Sequence, residues 1–283
     1  MKAKMFVVVL LCAVLLSSGV ACCAGEAPPM LAEEIRDEAI AVDAELDTYQ
    51  FEMEMTMVMG MTMMGETFQM AMVMDAEGAI DYLNETLYVD MTMTAEVTGE
   101  EDMEMSMAVY IVEDWMYMGE QMPGEAAVWQ KVPLPEEMWA QYDLVAQQLD
   151  ALSDADVEFV RNETVGGAEC YVLDVTPDIE KLWALTQLGG AGEGLLPVPN
   201  LEELISDFSV RYWIAQDTYF IRKTTADITM VLTPEALGIP PELAGELDAA
   251  ADIATTITMR HINEPVSIEL PPEAEEAEEV SML

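Results

Sequence analysis

Methionine is the side chain whose spacing stands out. After Phe51 come Met53, Met55, Met57, Met59, Met61 and Met63, each at an alternate position. Phe68, Met70, Met72 and Met74 repeat the pattern, and Val89, Met91 and Met93, then Met103, Met105 and Met107, carry it on. A thioether side chain has three uses here. It is unbranched, flexible and polarisable, so it can re-pack around apolar ligands of different shape. It is also a soft ligand that suits Cu(I). Lastly, it can fill an ordinary core, and the residues alone leave that use as open as the first. The Met-x-Met runs fall on the face that a strand would bury, with neither His nor Cys beside them. No metal and no other cofactor is therefore expected.

Other reactive groups are scarce. The single histidine, His261, lies in a β-like run and is read as structural. Cys170 sits in the strand-like run Glu169-Cys170-Tyr171-Val172-Leu173, where a buried small hydrophobe is the default. A catalytic thiol would want a basic neighbour. There is no Gly-rich phosphate loop, no Gly-x-Ser-x-Gly elbow and no Cys-x-x-Cys. The chain is read as non-enzymatic, with no catalytic residue.

Cys22 has a different chemistry. Lys2 and Lys4 precede an uncharged run from position 5 to 16, followed by Ser17, Ser18, Gly19, Val20 and Ala21. A basic start, an apolar stretch too short to span well and small residues at its end read as a secretory signal over residues 1–21. Gly19-Val20-Ala21-Cys22 resembles a bacterial lipobox, in which the cysteine becomes the lipidated first residue. Each buried methylene of such an anchor contributes ~0.8 kcal/mol to membrane transfer. Cleavage before Cys22 removes Lys2 and Lys4, taking the formal charge from -45 to -47. The expected location is extracytoplasmic, at a cell surface or in a periplasm, tethered to the membrane by lipid.

That charge sets limits on partners. Lys and Arg number 10 against 55 acidic residues. Such a chain repels phosphate backbones, so nucleic acid is not expected as a partner. A strongly charged surface keeps a protein soluble and monomeric. It also suits multivalent cations, without singling them out.

The elements that position these residues follow from periodicity. Leu31, Ile35, Ala39, Val42 and Leu46 recur at helical spacing and predict an amphipathic helix. From Tyr49 the period becomes two, which predicts strands with one apolar and one mostly polar face. The first strand is expected to turn near Gly60 or Gly65, and the second at Asp75-Ala76-Glu77-Gly78. A hairpin around Asn84-Glu85, a strand over 103–111, a turn at Glu113-Asp114 and short strands at 115–118 and 128–132 complete a meander, since links this short cannot make parallel crossovers. A second helix is expected over 138–152, strands at 157–161 and 169–175, a third helix over 176–185, and a Gly/Pro-rich loop over 186–199 that suits a lid or a plain surface loop. A short helix after Asn200, three strands at 208–215, 219–232 and 253–262, and a short helix between the last two follow. The sequons at Asn84 and Asn162 are expected at hairpin turns.

This order of elements resembles the LolA/LppX-like superfamily of extracytoplasmic lipoprotein-carrier-like proteins. The passages most like it are Tyr110-Ile111-Val112-Glu113-Asp114-Trp115-Met116-Tyr117-Met118, then Trp129-Gln130-Lys131, and Glu163-Thr164-Val165-Gly166-Gly167-Ala168-Glu169-Cys170-Tyr171-Val172-Leu173. The resemblance implies an unclosed half-barrel whose concave apolar face is covered by helices and holds acyl chains or lipids. Bacterial chaperone members of that superfamily use basic residues near the cavity, but no such residue is carried over here, since Arg211 and Arg222 lie in later strands without a recognisable motif.

The expected fold is therefore α+β and predominantly antiparallel β: a curled half-barrel sheet of about ten strands with a few helices over its concave face. The expected organisation is a signal over 1–21, a linker over 22–30, one domain over 31–270 and an acidic, disordered tail over 271–283. The expected function is to bind, and to carry, a lipid or other apolar ligand. Its cavity wall would be Phe51, Met53, Met55, Met57, Met59, Phe68, Met70, Met72, Met74, Val89, Met91, Met93, Met103, Met105 and Met107. The alternative is an acidic surface protein that binds cations or a protein partner without an apolar ligand.

Overall fold

The computed structural model describes residues 30–42, 45–63, 66–99, 102–134, 149, 152–153, 155–176, 204–232 and 248–280. The expected helices over 138–152, 176–185 and 234–250, the capped helix after Asn200, the loop over 186–199 and Cys22 fall wholly or mostly outside them.

The first element among the described residues is α1 (Ala32–Ala41). Its first turn is closed by the Glu34 carboxylate, which accepts from the Leu31 backbone N–H at 3.0 Å. Ile35 and Ala39, four residues apart on one stripe, are its buried positions. The strands are β1 (Thr48–Met63), β2 (Glu66–Asp81), β3 (Thr86–Val97), β4 (Met103–Val112), β5 (Trp115–Gln121), β6 (Val128–Pro133), β7 (Asp156–Val165), β8 (Ala168–Thr176), β9 (Ile205–Ala215), β10 (Ile221–Leu232) and β11 (Asp248–Arg260). A short helix α2 (Pro272–Glu275) and a two-residue strand β12 (Glu278–Glu279) follow.

All twelve strands of the described residues belong to one open, curled sheet, ordered β12-β6-β5-β4-β3-β2-β1-β11-β10-β9-β8-β7. It holds two meanders, β1–β6 and β7–β11, joined where β1 pairs antiparallel with β11. Asn263, just past β11, fastens that junction. Its Oδ1 accepts from the Asp47 N–H at 2.8 Å, its Nδ2 donates to the Glu45 carbonyl at 2.8 Å, and its own N–H donates to the Thr48 carbonyl at 2.8 Å.

The count of twelve among the described residues exceeds the expected ten. Of the two places expected for the first turn, Gly60 is inside β1, whose pairing with β2 runs on to Met63 and Glu66, so the reversal falls at the second. Two local expectations are corrected. Asp75-Ala76-Glu77-Gly78 is not a turn but the continuation of β2. Gly78 is required there because a Cβ would stand 2.6 Å from the Phe51 ring and 2.5 Å from the Tyr88 carbonyl oxygen. The acidic end was expected to be disordered, yet α2 buries Ala274 and β12 adds to β6 in parallel, with the Val280 N–H donating to the Lys131 carbonyl at 3.0 Å.

One face of the sheet carries the core. Tyr49 and Phe51 of β1, Ile80 of β2, Leu87 of β3, Ile111 of β4, Met116 of β5, Val132 of β6, Leu173 of β8, Tyr212 of β9 and Met259 of β11 form one buried cluster with Ile35 and Ala39 of α1 and with Leu149 and Leu152. Helix α1 therefore packs on this face, and the Arg36 side chain ties it to the start of β7 by donating to the Ala155 carbonyl at 3.0 Å. A smaller cluster of Cys170, Val172, Trp213 and Ala215 lies on the opposite face.

Candidate functional site

Strand register decides what the methionines do together. In β1 the odd positions share the face of Phe51, because Phe51 stands opposite Gly78 and Met53, Met55, Met57 and Met59 stand opposite Ala76, Met74, Met72 and Met70. In turn Ala76, Met74 and Met72 oppose Met91, Met93 and Ala95 of β3. These oppose Met107, Met105 and Met103 of β4. All fifteen residues expected in the wall thus lie on the one face that also carries the core.

They do not share one environment. Phe51, only 3% exposed, belongs to the core, and Met53 and Val89 pack against it. Further along the same strands Met55, Met57, Met59, Met70, Met72, Met74, Met91, Met93, Met105 and Met107 are half-buried. At the far end Phe68 is 41% and Met103 58% exposed, so these two are surface residues and not parts of an enclosed wall. The face continues beyond the expected set, through Met61 on β1, Ile253 on β11, Ile228 on β10 and Phe208 on β9, paired in that lateral order from Met57 onward. The weaker signal in 248–260, where Ala and Thr take apolar places, hid that extension.

The expected cavity does not appear among the described residues in the form foreseen. A recess of about 10 Å³ lies between Ala39, Leu46, Leu149, Phe220, Ile221, Met259 and Ile262. That is room for one water, far below the ~300 Å³ of a drug-sized site. It touches none of the fifteen residues. What the methionines form among the described residues is one continuous half-buried face.

Charge is sorted between the two faces. Arg260 pairs with Glu52, Arg211 with Asp174 at 2.5 Å and Arg161 with Glu163 at 2.5 Å. Lys131 sits 5.0 Å over the Trp115 ring and Lys223 4.8 Å over Trp213. Arg222 acts on Cys170. Five of them lie on the face opposite the methionines, as their register partners require, while Arg222 stands in the bulge between Ile221 and Lys223, where its charge reaches the Cys170 of that same face. Arg36 is on α1. Among the described residues, the methionine face carries no Lys or Arg.

The remaining candidates are dispersed over the structure. Cys170 is fully buried, and burial pushes its thiol up to about 11, so it is a protonated, unreactive group at neutral pH. His261 is not in a strand: it stands exposed in the turn after β11 with φ 51°, its Nδ1 2.8 Å from Glu264 Oε2. No three His, Cys, Asp or Glu side chains converge on a metal position among the described residues. Asn84 is held in its turn by Asp81, whose carboxylate accepts from the Asn84 amide at 2.7 Å. Asn162 is exposed but lies within β7, not at a turn. No helix among the described residues is long and apolar enough to cross a membrane.

On the opposite face a cross-strand aromatic row runs Tyr88–Tyr110–Trp129, with ring centroids 5.9 and 6.1 Å apart. Burial raises the phenol pKa of both tyrosines. Trp129 lies across Gly119, where a Cβ would meet its ring at 2.8 Å.

The model of a family of unknown function, DUF6612, matches residues 31–164, which contain the whole methionine face from β1 to β4. No curated protein matches the chain. Among solved structures it is similar to the lipoprotein LppX of Mycobacterium tuberculosis, at 12% identity and TM-score 0.43, over 84% of this chain and 99% of that one. It is also similar to a DUF1329 family protein from Desulfovibrio piger, at 15% identity and TM-score 0.26, over 84% of this chain and 95% of that one. A third similarity is to an outer membrane lipoprotein-sorting protein domain from Vibrio parahaemolyticus, at 11% identity and TM-score 0.23, over 83% and 93%.

Proposed function

We propose that this chain is an exported, non-enzymatic lipoprotein, anchored through Cys22, that binds an apolar molecule along the methionine face of β1–β4. One observation carries the reading: a continuous half-buried apolar face lies on the same side of the sheet as the core, and its methionines are side chains that re-pack around a guest. The signal and lipobox-like residues supply the location, and the sequence resemblance set out above agrees with it.

The face also limits the guest. An anionic headgroup would find no Lys or Arg among its described residues. The ligand is therefore a neutral or cationic lipid, or an uncharged hydrocarbon, lying along the sheet rather than inside a closed chamber. Each methylene that leaves water contributes about 0.8 kcal/mol.

Native mass spectrometry of the protein extracted from its own membrane tests this. The expected result is a co-purifying neutral or cationic lipid, displaced by adding a detergent of similar chain length. A ligand-free protein that fails to bind added neutral lipid overturns the reading. If that same protein is strongly stabilised by calcium, its acidic surface is the functional part.

A further inference from the structure

We infer that the methionine face is also a binding site for a soft monovalent metal ion, Cu(I) or Ag(I), centred on the row Met55, Met74, Met93 and Met105. These four stand directly opposite one another on β1, β2, β3 and β4. The sequence shows only Met-x-Met pairs along each strand. Register turns them into a lateral row of four thioethers, which is the donor set that the separate strands lack.

Geometry permits convergence. Side chains directly opposite across antiparallel strands have Cβ atoms about 4.5–5.5 Å apart. Methionine has three rotatable bonds, so neighbouring sulfurs can swing to one point. Ala76, opposite Met53, and Ala95, opposite Met72, put short side chains in the flanking rows beside Met74 and Met93. The row is half-buried, which leaves the ion a way in.

The choice of side chain argues for chemistry beyond filling space. Elsewhere on this face the core is built from Tyr49, Phe51, Ile80, Leu87 and Ile111, the β-branched, aliphatic and aromatic residues that pack well in sheets. Where the face opens, methionine replaces them. Thioethers are neutral and soft, so they favour Cu(I) or Ag(I) over Ca²⁺ or Mg²⁺, which require oxygen. Neutral ligands leave the ion's charge in place. The chain's formal charge of -45 favours that cation at long range, and among the described residues no basic side chain shares its face.

The test uses the full chain in chloride-free buffer, titrated with Ag(I) by calorimetry, and with Cu(I) anaerobically against a chromophoric chelator. X-ray absorption of the loaded protein reads the ligand shell. The expected result is a saturable site with a sulfur-only shell of at least three donors. The triple variant Met74→Leu, Met93→Leu, Met105→Leu should lose roughly 100-fold or more in affinity, the upper end for disturbing merely a supporting partner of a ligand. Met122→Leu, in an exposed position outside the face, should bind like the parent. Circular dichroism checks that the triple variant is folded; if it is not, the shell of the parent protein decides alone. Equal affinity in parent and folded triple variant, or a shell of nitrogen and oxygen, overturns the site.

Discussion

The core face of this sheet has two halves built on the same strands with opposite habits. Near α1, Tyr49, Phe51, Ile80, Leu87 and Ile111 are almost wholly buried. Four or more residues further along β1–β4, methionines at the same alternate spacing remain half-buried, and the face ends in exposed Phe68 and Met103. Burial therefore does not follow from the apolar pattern, which is alike in both halves. It follows from whether another element lies on top. The first half has α1, Leu149 and Leu152 over it and is a jigsaw of shaped side chains. The second carries flexible side chains that stay half-buried among the described residues, which suits guests in place of partners.

The comparison is broken most sharply by cutting into the packed half. Ile111→Ala should cost about 3 kcal/mol in denaturant unfolding, because Ile111 is 0% exposed and its cavity cannot relax fully. Gly78→Ala should cost about 2 kcal/mol, since its new methyl would press on Phe51 and the Tyr88 carbonyl. Cys170 sharpens the contrast through pH. Burial holds its thiol protonated up to about 11, so its contribution to stability is complete below the ordinary thiol value of 9.0 and is lost as pH rises from there toward 11. Unfolding curves from pH 8 to 11 should show that loss, and Cys170→Ala should flatten it; alkylation at pH 8 should need denaturant. In the open half Met57→Leu should change stability by less than about 1 kcal/mol, because the swap conserves volume where packing is loose. A cost there as large as at Ile111 would mean that the two halves are equally packed. The smallest effect is expected on the opposite face: Arg260→Gln, which removes an exposed pair with Glu52, should cost under about 1 kcal/mol and lose that cost in high salt.

Much of the strand layout was legible from the residues. The alternation from Tyr49 to Met107 identified β1–β4 and the side on which each methionine stands, because a strand reverses its side chains at every residue. The hairpin turns at Asn84-Glu85 and at Glu113-Asp114 were likewise readable from turn chemistry, and both are turns. Gly78 misled for a physical reason: in sequence Asp-Ala-Glu-Gly reads as a turn, yet the glycine is there to admit the Phe51 ring inside a long strand. The acidic terminus misled because composition does not foresee that Ala274 would be buried and Glu278–Glu279 would find the free edge of β6. Of the candidate site, membership was legible and environment was not, as the contrast between Phe51 and Met103 shows.

By itself the sequence determined an acidic chain with an export-type start and strands that segregate methionine to one face, since these depend on composition and on a local period of two. Tertiary structure decided that β1 pairs with β11, that Met55, Met74, Met93 and Met105 form one row, and that only part of their face is covered. Pairing, register and cover depend on contacts between residues more than two hundred positions apart, such as Gln50 and Arg260, and no local pattern encodes which partner wins them.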